Sequence, residues 1–320
     1  MADRLNPLPV RVGLGGVRMG QETMRTTLKL LLPRPVRRGL SVSRYALQLN
    51  ARRCTSRSSA RVLPTFLVIG AQKSGTTALY RHLQQHPGVA EPLRKEINFF
   101  CWEYPRGTGW YRAHFPREST RRRMLDEHGA FATGDTTSNY LFHPLAARRA
   151  LEVVPQAKVL AILRNPVDRA YSHYHHNRLR RRREPLERFE DALDAEERRL
   201  QGEAGKIRAN ADSRGRDQWH RTYLARGVYA DQLPAWLEVF PREQVLVIST
   251  EQYRSQPRET YGRILRFLEL PEWKHARFDT HNTNRYSEMD PRTRERLVEF
   301  FRPHNQRLYD LLGTTFDWDR

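Results

Sequence analysis

The sequence predicts an α/β protein built on parallel strands, and three observations carry that prediction. Thr65-Phe66-Leu67-Val68-Ile69 is β-rich and apolar almost throughout, as suits a strand buried on both faces of a parallel sheet. A glycine-bounded loop leads from it directly into a helical pattern, and a second strand-to-helix unit begins at Lys158. Helical periods then continue to the C-terminus around one further strand-like run.

Taken in order, residues 1–63 form a basic leader with Pro7, Pro9, Pro33 and Pro35, several glycines and Ser/Arg clusters, and are read as poorly ordered. The first strand ends at Gly70, and the apolar spacing of Ala78-Leu79-Tyr80-Arg81-His82-Leu83 is helical until Pro87-Gly88 stops it. Lys158-Val159-Leu160-Ala161-Ile162-Leu163 is the second strand, followed by Arg164 and by Pro166 at a position that opens helices. Helical patterns follow around Leu186–Leu200, Asp231–Phe240, Pro257–Leu268 and Thr293–Leu312, with a strand at Gln244–Ser249. Gln201–Asp217, rich in Gly, Arg, Asp and Ala, interrupts this rhythm and reads as a mobile loop or an edge of an acceptor cleft. No repeat or internal linker divides residues 64–320, which read as one domain.

Composition narrows the class. With 38% apolar and 10% aromatic residues, a 320-residue chain can build a sizeable core, which argues against a disordered or collagen-like protein. No apolar run reaches the eighteen residues of a membrane span, so a soluble protein is expected. Cys54 and Cys101 are too few for a disulfide framework and lack metal-ligand spacing. The net charge of +20 is mostly arginine, and the leader holds twelve Arg and one Lys against Asp3 and Glu22. Such a leader suits a targeting peptide, a surface for anionic polymers or a solvated tail.

The chemistry begins at Ala71-Gln72-Lys73-Ser74-Gly75-Thr76-Thr77. A loop between a buried strand and a helix directs backbone N–H groups and the positive end of the helix dipole at one point, where phosphate or sulfate oxygens bind. Gly70 and Gly75 match the first half of the P-loop pattern, but Thr76-Thr77 stand where Lys-Ser/Thr is required, and the lysine has moved inside the loop to position 73. The second strand closes on Arg164 and not on the acidic residue that holds Mg²⁺ in phosphoryl transfer. Arg164 and Ser172, two helical turns further on, can together clamp a terminal phosphate.

These two segments, Phe66–Thr77 and Ile162–Ser172, resemble the sulfotransferases that use 3′-phosphoadenosine 5′-phosphosulfate. The first looks like their 5′-phosphosulfate loop and the second like their 3′-phosphate motif. Arg94-Lys95-Glu96-Ile97-Asn98-Phe99-Phe100, Trp110-Tyr111-x-x-x-Phe115-Pro116, Tyr286–Asp290 and Phe316-Asp317-Trp318 are similar to the branch of the heparan sulfate N- and O-sulfotransferases and their bacterial relatives. The resemblance spans roughly residues 64–318. It implies a central parallel sheet with flanking helices, a P-loop-like sulfotransferase fold, and 3′-phosphoadenosine 5′-phosphosulfate as co-substrate with no metal.

Residue by residue, the resemblance assigns Lys73, Ser74, Gly75, Thr76 and Thr77 to the 5′-phosphosulfate, with Lys73 at the bridging oxygen, and Arg164 and Ser172 to the 3′-phosphate. Arg285 is a further donor contact, and Glu96 aligns with the general base. His82, His86, His173, His175 and His176 are the competing bases, because the sulfotransferases of small phenols and steroids use histidine. Two departures stand out. Thr136, in Gly134–Tyr140, replaces a lysine of the heparan sulfate enzymes, and His281–Arg285 lacks the cysteines of the animal disulfide loop. The expected acceptor is therefore a glycan or hydroxylated metabolite other than heparan sulfate, in a cytoplasmic and bacterial setting. A variant nucleotide kinase is the competing reading. A nucleic-acid-binding protein would use the charge and the Arg180–Arg183 run, but no nucleic-acid-binding motif supports it.

Overall fold

The computed structural model describes residues 34–54, 60–181, 183–201, 220–278 and 286–318. The chain divides into two units, Met1–Asn50 and Ala51–Arg320. The leader, read from sequence as poorly ordered, contains a helix, α1, at Arg34–Cys54. Arginine, leucine and alanine favour helix there, and no proline follows Pro35, which sits in the tolerant first turn.

The larger unit is α/β, around the parallel strands β1 (Phe66–Gly70), β2 (Val89–Ala90), β3 (Ala132–Thr136), β4 (Lys158–Leu163) and β5 (Val245–Ser249). Their order is β2-β3-β1-β4-β5. Between β1 and β3 run α2 (Thr76–Leu83), α3 (Gly107–Arg112) and α4 (Glu118–His128). Helix α5 (Ala146–Val153) leads to β4 and α6 (Pro166–His175) leaves it, with α7 (Phe189–Asp194), α8 (Glu196–Leu200) and α9 (Pro234–Val239) before β5. Helices α10 (Thr250–Ser255), α11 (Pro257–Phe267) and α12 (Pro291–Leu312) close the chain.

Side chains alternate across each strand, so one sheet face collects Phe66, Val68, Leu160, Ile162, Leu246 and Ile248, packed beneath α2 and α11. The other face buries Leu67, Ile69, Val159, Ala161 and Val247. Strand β3, Ala-Thr-Gly-Asp-Thr, carries no apolar run, and Thr133 is paired with residues of its two neighbouring segments. The Thr133 hydroxyl donates to the Ala90 carbonyl at 2.9 Å, and the Thr133 N–H donates to Thr65 Oγ1 at 3.1 Å. Gly134 leaves room for the Phe66 ring beside it in register, since a Cβ there would lie 2.1 Å from Phe66 Cε2.

Because all five strands are parallel, their carboxyl ends open on one edge of the sheet. The loops that follow β1, β3, β4 and β5 meet there, at the position where α/β sheets bind ligands.

Candidate active site

The loop after β1 is built on two unusual backbone positions. Gly75, the residue before α2, has φ 95, which only glycine adopts freely, and Lys73 is left-handed at φ 73. Ala71 N–H donates to the Ile162 carbonyl at 2.7 Å, and Ser74 N–H to the Ala71 carbonyl at 3.2 Å. Leu79 N–H bonds the Gly75 carbonyl at 3.1 Å, so the amides of Thr76, Thr77 and Ala78 lie in the first turn, without an intrahelical acceptor. Unpaired amides at a helix N-terminus are groups to which an anion can bind. Ser74 itself is fully buried. Its carbonyl accepts the Thr250 hydroxyl at 2.6 Å, and that hydroxyl also lies 2.7 Å from the Leu163 carbonyl.

Arg164 comes to this loop directly, donating from Nη1 to the Lys73 carbonyl at 3.3 Å, while its own carbonyl accepts the Tyr229 hydroxyl at 2.9 Å. Asn165 caps α6 by accepting the Val167 N–H at 3.0 Å. Ser172 is buried within that helix. The C-terminal motif docks here: Asn165 Nδ2 donates to the Trp318 carbonyl at 3.3 Å, and Glu251 receives both the Asn165 N–H at 3.1 Å and the Trp318 indole N–H at 3.2 Å. Tyr286 stacks on His175 at 4.4 Å, bringing the other closing motif against α6. Arg285 and residues 202–217 of the expected loop lie outside the described residues.

Glu96 follows β2 and is left-handed at φ 59, as is Asn98. Its N–H donates to the Thr136 carbonyl at 3.0 Å. Lys95 Nζ lies 2.7 Å from Oε1, and Ser138 donates its hydroxyl to Oε1 at 3.1 Å and its N–H to Oε2 at 3.2 Å. The carboxylate is thus bound by the turn after β3 as well as by its neighbour in sequence. Strained backbone at Lys73, Glu96 and Asn98 persists because the surrounding contacts determine it, a pattern characteristic of functional positions.

Beneath this turn lies Asp135, which sequence reading passed over. It accepts hydroxyls from Thr137 at 2.7 Å, Tyr140 at 2.6 Å and Tyr111 at 3.0 Å. Burial pushes its carboxyl up to about 6, against the pull of those donors. Asp135 stands near the end of β3, with both oxygens occupied by hydroxyls and shut off from solvent, while β4 closes on Arg164 as its sequence predicts. Thr250 and Glu251 were also missed, although polar residues directly after a strand's carboxyl end are the signal that exposed Arg164.

Of the histidines, His82 and His86 lie away from these loops, whereas His173 and His175 share α6 with Ser172. The His82 ring and the Tyr253 hydroxyl are 2.6 Å apart in the core, and His86 Nε2 lies 3.0 Å from the Pro271 carbonyl. His173 is fully buried, and burial holds its imidazole well below the usual range. No group of His, Cys, Asp and Glu among the described residues has metal-binding geometry. No described helix is long and apolar enough to cross a membrane.

The five-stranded parallel sheet, its flanking helices and the glycine-bounded loop between β1 and α2 define an α/β protein with a P-loop-like architecture. The chain belongs to the sulfotransferase domain family, which it matches over residues 63–306, and is a transferase of that type. A sulfotransferase from Alicyclobacillus acidocaldarius shares 33% identity with a TM-score of 0.62, covering 81% of this chain and all of that one. The human bifunctional heparan sulfate N-deacetylase/N-sulfotransferase 3 is 33% identical over 78% of this chain, and the membrane-associated sulfotransferase kil1 of Dictyostelium discoideum 27% identical over 80%. The chain spans 66% of the length of kil1 and 30% of that of the human enzyme.

Proposed function

We propose that the protein moves a sulfuryl group from 3′-phosphoadenosine 5′-phosphosulfate to a hydroxyl or amine of a carbohydrate or other small acceptor, by in-line transfer. The observation that carries this reading is the pair of left-handed residues, Lys73 and Glu96, each fixed by contacts at the same carboxyl edge of the sheet. Lys73, with the N–H groups of Gly75, Thr76 and Thr77, holds the 5′-phosphosulfate. Ser74 supports the loop from within, as its burial favours. Arg164 and Ser172 hold the 3′-phosphate, and Arg285 is a further contact to the 5′-phosphosulfate or the 3′-phosphate.

In the transfer, the acceptor proton passes to the Glu96 carboxylate as the acceptor atom bonds to sulfur. The bond from sulfur to the bridging oxygen breaks, and Lys73 neutralises the charge that develops on the departing 5′-phosphate. No metal is required for this step, and we assign none. The acceptor class in this proposal is a glycan or hydroxylated metabolite. Heparan sulfate itself is disfavoured because Thr136, standing for the lysine of those enzymes, is buried and brings no positive charge. A cytoplasmic, bacterial setting, where the donor is made, completes the proposal.

The test is incubation with sulfur-labelled donor against glycans, glycolipids and hydroxylated metabolites, with and without Mg²⁺. Label should pass to one class without metal. Glu96→Gln should slow transfer at least about a hundredfold with little change in donor affinity, and Lys73→Ala should abolish turnover while the fold persists. A folded Glu96→Gln enzyme of full rate would remove the base assignment.

A further inference from the structure

The turn that carries Glu96 is held by side chains acting as backbone acceptors. Asn98 N–H donates to Thr137 Oγ1 at 3.3 Å, and Phe99 N–H donates to the Tyr140 hydroxyl oxygen at 2.9 Å, with Phe100 N–H 3.4 Å from the same atom. A hydroxyl can serve amides in this way only when its own proton points elsewhere. Both protons go to Asp135, Thr137 donating to Oδ1 and Tyr140 to Oδ2, while Tyr111 adds a third hydroxyl to Oδ2. Every bond in the relay therefore runs one way, from amide to hydroxyl to carboxylate, and Asp135 and its three hydroxyl partners are each 0% exposed to solvent.

We propose that Asp135 is a positioning residue: by accepting the Thr137 and Tyr140 protons, its carboxylate turns two hydroxyl oxygens toward the Asn98–Phe100 amides and so fixes the turn that presents Glu96. The catalytic consequence rests on the reading of Glu96 as base; the structural relay does not. The ionisable groups facing Asp135 are Tyr111, Tyr140, Glu96 and Cys101. With its carboxyl at about 6, Asp135 is ionised at neutral pH and loses its purely accepting character in mild acid.

Asp135→Asn preserves the volume but puts an NH₂ group where one oxygen stood, so at least one hydroxyl must reverse. Hydrogen exchange at Asn98, Phe99 and Phe100 should accelerate at least tenfold relative to wild type, with Val159–Leu163 unchanged. At pH 7.5 kcat should fall at least tenfold, while affinity for 3′-phosphoadenosine 5′-phosphate stays within twofold. Thr137→Val should expose Asn98 selectively and Tyr140→Phe should expose Phe99 and Phe100, which keeps the relay testable if the asparagine variant fails to fold. Wild-type protection at these amides should drop as the pH falls through about 6. Unchanged protection at residues 98–100 in the folded variants, or equal loss across the whole sheet, would overturn the positioning role. Full activity of Glu96→Gln alongside the expected exchange pattern would leave the relay standing and overturn only the base assignment.

Discussion

Replacing Thr250 with valine asks whether the loop after β1, proposed to hold the donor, is held from the β5 side of the sheet. The Thr250 hydroxyl, 3% exposed, reaches the carbonyls of Ser74 at 2.6 Å and Leu163 at 2.7 Å. Valine matches its shape and lacks its proton, so two carbonyls lose their shared donor in a buried site. Leaving buried groups unpaired costs about 1–3 kcal/mol. For a protein of this size that lowers the melting temperature by about 2–12 °C. Freed from its tether, the loop relaxes in the empty enzyme, and binding must order it again. The same energy then appears as about fivefold to 150-fold weaker binding of 3′-phosphoadenosine 5′-phosphate. Thermal melting and titration calorimetry on wild type, Thr250→Val and Thr250→Ser measure both quantities, and the serine variant, which keeps the hydroxyl, should recover most of each. A valine variant with wild-type melting and wild-type affinity would show that this hydroxyl braces nothing.

Arg164→Ala should shrink the preference for the 3′-phosphorylated donor over adenosine 5′-phosphosulfate by about tenfold or more, the worth of a charge-assisted bond; equal weakening of both in competition assays would confine Arg164 to its bond with the Lys73 carbonyl. Gly134→Ala drives a methyl against the Phe66 ring between two paired strands and should cost about 1–3 kcal/mol in urea unfolding, partly recovered by adding Phe66→Leu; additive effects would mean the two positions do not press on each other. The Asp135 carboxyl rises from 3.8 to about 6 on folding, so the folded protein holds that proton more tightly. Its stabilising contribution is full below pH 3.8, is lost as the pH rises through about 6, and amounts to about 3 kcal/mol. Urea midpoints of wild type against Asp135→Asn from pH 4 to 7 should diverge accordingly, and a constant difference would place the titration elsewhere.

The elements legible in the sequence were those that announce burial through apolar runs. Strand β4 has the bounds that its residues predict, and β1, β5, α11 and α12 differ by a residue or two. Strand β3 was not legible, because its residues are polar and become core only through partners far away in the chain. Thr133 answers to Ala90 and Thr65, Asp135 to Tyr111, and Gly134 yields its space to Phe66. The same limit applied at the candidate site. Lys73 and Arg164 follow strands and could be found by position, whereas Glu96 needed the family resemblance, since nothing local distinguishes it from a surface residue beside Lys95. Thr250 lies 176 residues from the carbonyl it supports, a pairing that no local pattern encodes.

The anchors of the two halves fall on opposite flanks of β1. The loop from Ala71 to Gly75 is tied to β4 and to the start of α10, through Ile162, Arg164 and Thr250. The Glu96 turn is tied to the last residue of β3, Thr136, and to the residues that follow it as far as Tyr140. With β1 as a shared spine, the two sets of bonds run to different strands of the sheet. On the function proposed above, a lineage built on this plan can drift on the β3 side, changing the turn that would border the acceptor, while the loop proposed to hold the nucleotide keeps its own bonds. Divergence in what is modified, with constancy in what supplies the group, is then the pattern that this arrangement makes easiest to evolve.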